Sequence, residues 1–229
     1  MNMGIILKVE NLSVELYGET ILENLAFKVE EGEILTILGP NGAGKTVLLK
    51  ALLGILPHKG KIEWRQGVKI GYVPQRLPFI KDIPMSVGEF FKLKKTSDKI
   101  TRDILKSIGL AEDILRKKIG SLSSGQFQRI LVGWALVSNP QILLFDEPTT
   151  GVDISGQESI YEFLEKLKEE RGLTILLITH DLSVVYKFAT RCLCLNKKLL
   201  CYSLPKELTP ESLAQLYGGE IKLYEHSHG

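Results

Sequence analysis

Short apolar segments alternate with longer amphipathic segments along most of the chain. Ile34–Leu38 is an apolar run that leads into a glycine-rich turn, and residues 47–56 then have the length and apolar spacing of a helix. The same order recurs downstream, with strands predicted at 142–145, 174–178 and 192–195 and helices at 158–170 and from Leu182 onward. Strands that alternate with helices are typical of an α/β fold with a doubly wound, mostly parallel sheet.

Two regions depart from this order. Residues 7–26 alternate apolar and polar positions on either side of a break at 17–20, which predicts an N-terminal antiparallel strand pair. Residues 84–120 lose the strand pattern, and apolar residues recur there at helical spacing: Phe90, Leu93, Ile104, Ile108 and Leu115. We therefore expect one domain over 1–229, built from a core with a β subdomain (1–83 and 121–229) and an inserted helical lobe (84–120).

Composition and charge narrow the class of protein. The chain is 44% hydrophobic and 24% charged with a net charge of +2, which is typical of a globular protein and does not favour a nucleic-acid partner. The longest uncharged stretch, 130–145, has 16 residues, fewer than the roughly 20 that a membrane-spanning helix needs. The N-terminus lacks the pattern of a signal peptide, so we expect a cytoplasmic protein.

The predicted lobe is locally basic, with nine Lys or Arg and five Asp or Glu between residues 86 and 118. Such a surface is either a solvated face or a face for a partner or membrane headgroups. The cysteines Cys192, Cys194 and Cys201 lie within ten residues, unlike the framework of a secreted disulfide protein. We expect reduced thiols.

A phosphate-binding motif carries the strongest chemical signal. Residues 39–46 match the motif G-x-x-x-x-G-K-[ST] at every fixed position and lie between an apolar strand and a helix. They are Gly39, Pro40, Asn41, Gly42, Ala43, Gly44, Lys45 and Thr46. Glycines let backbone N–H groups surround phosphate oxygens, and the N-terminus of the following helix adds positive charge. Lys45 would place its charge between the β- and γ-phosphates, and the Thr46 hydroxyl could bind Mg²⁺. The alternative to a phosphate site is a glycine-rich turn that only connects the strand to the helix.

Two carboxylates end a later apolar strand. Asp146 and Glu147 follow residues 142–145, at the edge of the sheet where ligands of open α/β folds bind. Asp146 would hold Mg²⁺ through water, and Glu147 would orient and deprotonate the attacking water in phosphoryl transfer. Such a pair also serves as a helix cap in many proteins, but the phosphate motif favours the catalytic interpretation.

Together these motifs resemble the ATP-binding cassette (ABC) family of nucleotide-binding domains from about Leu7 to Leu195. The most specific element is similar to the family signature L-S-G-G-Q and reads Leu122, Ser123, Ser124, Gly125, Gln126. Ser123 is a good N-cap, and the helix beginning near Gly125 offers free N–H groups to an anion. In the family that anion is a phosphate of ATP bound to the other subunit. Ser124 replaces the usual glycine.

The resemblance assigns further residues. Tyr17 matches the aromatic residue that stacks on adenine, although a strand-edge tyrosine is the alternative, and Gln75 matches the Q-loop glutamine that contacts the metal and water. Asp153 matches the D-loop aspartate at the dimer interface. His180 matches the switch histidine that contacts the γ-phosphate, where a structural histidine is the alternative.

The resemblance implies an ATPase with ATP and Mg²⁺ as cofactors, closing as a head-to-tail dimer over two nucleotides. It implies separate membrane permease subunits as partners, an extracytoplasmic solute-binding protein in the same system, and a location on the inner face of the cell membrane. Residues 146–157 and the carboxyl-terminal segments are similar to the subfamily that serves zinc and manganese uptake. The alternatives are an importer of another solute and a soluble ATPase of iron–sulfur assembly.

Overall fold

The computed structural model describes residues 4–75, 84–148 and 154–218, and for 154–159 it describes the backbone alone. The chain divides into two compact units. Among the described residues, 4–65 and 178–218 form the first unit, and 66–75, 84–148 and 154–177 form the second.

The first unit combines two groups of strands with three helices. Its elements are β1 (Ile5–Leu16), β2 (Glu19–Glu30), β3 (Ile34–Leu38), α1 (Lys45–Leu52), β4 (Lys59–Trp64), α6 (Leu182–Phe188), β8 (Arg191–Asn196), β9 (Lys198–Ser203) and α7 (Pro210–Tyr217). β1 pairs antiparallel with both β2 and β4, which confirms the predicted N-terminal strand pair and adds a third strand. β3 pairs in parallel with β8, and β8 pairs antiparallel with β9.

The expectation of reduced thiols is wrong for two of the three cysteines. Cys194 of β8 and Cys201 of β9 lie opposite each other in the antiparallel register, with Cα atoms 4.7 Å apart, and form a disulfide bond. Counting cysteines along the sequence does not reveal this, because only the strand register places these two side chains side by side. Cys192 is a free, buried thiol.

An ion pair between the half-buried Arg191 and the buried Glu33 anchors the start of β8 in the first unit. The Arg191 Nε atom donates a hydrogen bond to Glu33 Oε1 at 2.8 Å, and the Glu33 side chain is only 6% exposed. The other Glu33 oxygen accepts a hydrogen bond from the Glu30 N–H at 2.9 Å. The guanidinium also stacks over the ring of Tyr202. Because β8 pairs with β3, this anchor helps to fix the strand that leads into the phosphate motif.

Replacing Arg191 with alanine should lower the free energy of unfolding by about 2 kcal/mol or more, because it leaves the Glu33 carboxylate buried without its cation. Chemical denaturation of the purified chain measures this. Lys198→Ala is the matched control, since Lys198 pairs with Glu23 on the surface and such pairs contribute at most about 1 kcal/mol. Equal effects of the two substitutions would contradict the structural role of Arg191.

The described residues of the second unit form three strands and four helices. They are β5 (Ile70–Val73), α2 (Val87–Lys92), α3 (Asp98–Ser107), α4 (Ser124–Leu136), β6 (Ile142–Asp146), α5 (Ile154–Arg171) and β7 (Thr174–Ile178). The strand order is β5-β6-β7, and β5 pairs in parallel with β6. β6 and β7 are fully buried, as their apolar sequences predict.

Helices dominate the segment predicted to be helical. α2 and α3 lie there with two short 3₁₀ segments, Glu112–Arg116 and Ile119–Ser121. Ser86 and Ser97 cap the two helices, and each side chain accepts a backbone N–H three residues on. Gly133 of α4 allows close packing, because a Cβ atom there would lie 2.8 Å from Ile108 Cδ1.

The two units confirm the predicted fold class, an α/β protein with mostly parallel strands and an N-terminal antiparallel sheet. Within the described part of the chain, every helix is too short or too polar to cross a bilayer.

Candidate active site

The phosphate motif forms a tight loop between β3 and α1 in the first unit. Gly42 and Gly44 have positive φ angles of 81° and 95°, a region that side-chain-bearing residues rarely adopt. Space is also restricted: a Cβ atom on Gly44 would lie 2.6 Å from a Leu22 methyl group. Position 44 therefore needs glycine for both backbone conformation and close approach, whereas position 42 needs it for backbone conformation.

Lys45 is folded back into this loop. It is the first residue of α1 and only 6% exposed, and its Nζ atom donates hydrogen bonds to the Gly39 and Pro40 carbonyl oxygens at 2.8 and 3.0 Å. Thr46 follows in the first turn of α1. A positive charge, a hydroxyl and the N-terminal end of a helix thus lie together, which is a set of groups suited to phosphate oxygens and a hard cation.

Two other predicted residues belong to the first unit. Tyr17 lies in the turn between β1 and β2 and its side chain is fully exposed, so the face of the ring is available for stacking. His180 is exposed and precedes Asp181, whose carboxylate accepts the Ser183 N–H at 2.8 Å and caps α6. This cap fixes the backbone immediately after His180, the residue that carries the imidazole.

The carboxylate pair lies at the end of β6 in the second unit. Asp146 is 3% exposed, and Glu147, the next residue, has a left-handed backbone with φ of 48°. Gln75 Nε2 donates a hydrogen bond to Glu147 Oε2 at 2.6 Å. The structure thus brings together two residues that the sequence selected independently, at positions 72 residues apart.

Tyr72 is a neighbour of this pair that the sequence analysis did not select. It lies on β5 opposite Leu144, so its side chain is on the same face of the sheet as Asp146 two residues later. Burial, together with the negative charge of Asp146, raises the pKa of Tyr72 to about 12. The phenol therefore stays neutral beside the carboxylate at physiological pH. Because side chains alternate between the two faces of a strand, the register of β5 and β6 is enough to place Tyr72 and Asp146 on the same face.

The signature segment caps α4 in the second unit. Ser123 Oγ accepts the Gln126 N–H, and Gln126 Oε1 accepts the Ser123 N–H, each at 3.2 Å, which is a complete capping box. This confirms Ser123 as the N-cap. Space around Gly125 is open, since a Cβ atom there would meet nothing within 4 Å. The helix begins at Ser124, one residue before the predicted position.

The predicted residues fall into two groups, each described within its own unit. The first unit contains Tyr17, Lys45, Thr46, His180 and the loop glycines, and the second contains Gln75, Asp146, Glu147 and the signature residues. Asp153 lies outside the described residues. The Asp146 carboxylate and the Gln75 amide in the second unit, and the Thr46 hydroxyl in the first, are each oxygen donors of the kind that Mg²⁺ prefers.

Comparison with known proteins gives consistent matches. Residues 22–150 match the sequence family described as ABC transporter. The chain is 38% identical to the zinc import ATP-binding protein ZnuC of Acinetobacter baylyi over 226 residues, covering 97% of this chain and 86% of the relative.

Solved structures agree with this match. A structure described as a metal-chelate type ABC transporter in an inward-facing conformation has a TM-score of 0.83 and 30% identity, covering 93% of this chain and 89% of that chain. The structure of cbiO1 from Clostridium perfringens, part of the ABC transporter complex cbiONQ, has a TM-score of 0.78 and 29% identity, covering 89% and 90%.

Proposed function

The chain belongs to the ABC transporter family, and from this premise we propose that it is the ATP-hydrolysing subunit of an importer for a divalent metal ion, with zinc as the ion. One observation carries the choice of ion: the similarity to a zinc import ATP-binding protein extends over 97% of the chain. This similarity favours zinc import over import of another solute and over a role in iron–sulfur assembly.

ATP is the substrate of the proposed reaction. Lys45 contacts the β- and γ-phosphates, the backbone N–H groups of residues 39–46 surround the phosphate oxygens, and Tyr17 stacks on the adenine. The support for these roles is the buried ammonium of Lys45 within the glycine loop and the exposed ring of Tyr17. Mg²⁺ would be held by Thr46, Gln75 and Asp146, in the last case through water, and when bound it neutralises phosphate charge.

Hydrolysis needs an oriented water and compensation of charge on the γ-phosphate. Glu147 accepts the proton of the attacking water, and Gln75 orients the Glu147 carboxylate through the 2.6 Å hydrogen bond. His180 contacts the γ-phosphate oxygens. The left-handed backbone at Glu147 supports an active role, because such strained conformations concentrate at functional sites.

Dimer formation completes the proposed mechanism. The N-terminus of α4 with Ser123, Ser124, Gly125 and Gln126 binds the γ-phosphate of ATP held by a second copy of the chain, and Asp153 lies at that interface. The open space around Gly125 supports the approach of a phosphate. Closure of the dimer drives separate membrane permease subunits, which receive the ion from an extracytoplasmic binding protein, so the chain acts at the inner face of the membrane.

Deleting the gene should cause a selective fall in total cellular zinc on zinc-limited medium, because uptake loses its energy source. Mass spectrometry of zinc, manganese and iron measures this in the deletion strain and in the strain complemented with wild type or Glu147→Gln. Wild type should restore zinc and the inactive variant should not.

Each other outcome has its own consequence for the proposal. A fall in manganese alone would keep the transporter and replace the ion. If the cellular contents of all three metals were unchanged in the deletion strain, metal import would be rejected. The remaining functions would then be import of another solute and a soluble ATPase.

A further inference from the structure

The β8–β9 hairpin contacts the phosphate loop directly through its turn. The Lys197 N–H donates a hydrogen bond to the Ala43 carbonyl oxygen at 3.1 Å, and the Lys197 carbonyl accepts the Glu23 N–H at 2.8 Å. Lys197 has a left-handed backbone with φ of 56°. The turn is therefore hydrogen-bonded on both sides, to the loop that surrounds phosphate and to β2.

The base of the phosphate loop is packed against the same hairpin. A Cβ atom on Gly39 would lie 2.1 Å from the Leu195 carbonyl oxygen, so the two backbones are in direct contact. Leu38, the residue before Gly39, pairs with Cys194 in the parallel register of β3 and β8. A shift of residues 195–197 would consequently move the contacts that hold both Gly39 and Ala43.

The Cys194–Cys201 bond closes the segment that makes these contacts. Leu195, Asn196 and Lys197 lie between the two bridged cysteines, so the bond restricts the part of the hairpin that touches the loop. Cys194 is fully buried, whereas Cys201 is half-buried, so Cys201 is the more exposed residue of the two. Neither cysteine has a role in the proposed hydrolysis.

We propose that Cys194 and Cys201 form a redox modification site that sets the nucleotide affinity of the phosphate loop, with a small dithiol or glutathione-type thiol as the reducing partner. The bonded hairpin preorganises the loop and favours ATP binding, and reduction releases it. The inference rests on ATP binding by residues 39–46, which it shares with the proposed function.

The reduction is a thiol–disulfide exchange. A thiolate of the reductant attacks the Cys201 sulfur, the S–S bond breaks, and the Cys194 thiolate leaves and takes up a proton. A second thiol, from the same dithiol or from a second glutathione-type molecule, attacks the reductant's sulfur in the mixed disulfide and releases Cys201, while the reductant leaves as a disulfide. Two electrons and two protons pass to the protein. Burial raises the pKa of the Cys192 thiol, which keeps Cys192 a poor competing nucleophile.

The test compares the intact chain in its two redox forms. One sample is treated with oxidised glutathione and the other with dithiothreitol, which is then removed. Alkylation under denaturing conditions followed by mass measurement should find one thiol in the first sample and three in the second. Titration with a fluorescent ATP analogue and Mg²⁺ should show that the bonded form binds about fivefold more tightly or better.

Two variants separate the bond from general effects on folding. Cys201→Ser should bind nucleotide like the reduced form whatever the treatment, and Cys192→Ala should keep the full redox response. If the two samples differed in thiol count but bound the ATP analogue with equal affinity, the proposal would be overturned. Finding three thiols in the oxidised sample would overturn it as well, because the bond would then not have formed. Absence of nucleotide binding in both forms would reject the proposed function itself, and this inference with it.

Discussion

Replacing Glu147 with glutamine is expected to lower the rate of ATP hydrolysis about 10³-fold while ATP binding is retained, because a positioned general base contributes on the order of 10²- to 10⁴-fold to such reactions. Glutamine has the shape of glutamate, so the turn after β6 should be preserved. The substituted amide cannot accept a proton from water. Turnover measured as phosphate release, together with nucleotide affinity, separates chemistry from binding.

The same variant should accumulate an ATP-bound dimer, since hydrolysis no longer opens it. Size-exclusion chromatography with saturating ATP and Mg²⁺ measures the dimer fraction. Glu165→Gln is a matched control, because Glu165 is an exposed residue of α5 and carries no role in the mechanism. If Glu147→Gln remained monomeric and turned over ATP at the normal rate, both the assignment of the base and the dimer mechanism would be wrong.

Replacing Lys45 with alanine is expected to weaken ATP binding about 100-fold, since charge-assisted hydrogen bonds each contribute about 1.5–3 kcal/mol. The buried Nζ atom is held at the loop by the Gly39 and Pro40 carbonyl oxygens, so its charge lies where phosphates would bind. Alanine removes the charge and leaves both carbonyls without this donor. Isothermal titration with ATP and Mg²⁺ measures the affinity.

Lys50→Ala is the control for Lys45→Ala. Lys50 is an exposed residue in the last turn of the same helix, α1, and its loss should leave ATP affinity unchanged. Thermal unfolding without nucleotide shows whether the Lys45 variant is still folded. A folded Lys45→Ala protein with wild-type affinity would refute the proposed phosphate contact.

Apolar strands and helix caps were the features that the sequence predicted best. β3 begins and ends where its apolar run does, at Ile34–Leu38, because a strand buried on both faces needs apolar residues at nearly every position. Ser123 is likewise predicted as an N-cap from its residue type and position, and the structure adds the reciprocal hydrogen bond to the Gln126 side chain. Local chemistry determines such features.

Strands with mixed composition were not predicted. β4 (Lys59–Trp64) and β9 (Lys198–Ser203) carry lysines or polar residues and are only partly buried, and β5 is four residues long. β4 and β5 pair with strands distant in sequence, β1 and β6, whereas β9 pairs with the neighbouring strand β8. α7 was also missed, although Thr209 caps it with a complete capping box.

The order of residues is enough to predict the α/β class, the phosphate loop, the carboxylates after β6 and the cap of α4, because each depends on residue types within a few positions of one another. The folded structure determines which side chains and loops lie against one another across strands. It paired Gln75 with Glu147, placed Tyr72 beside Asp146, joined Cys194 to Cys201 and set Lys197 against Ala43. Strand register and loop packing control these contacts, and neither is written in the local order of residues.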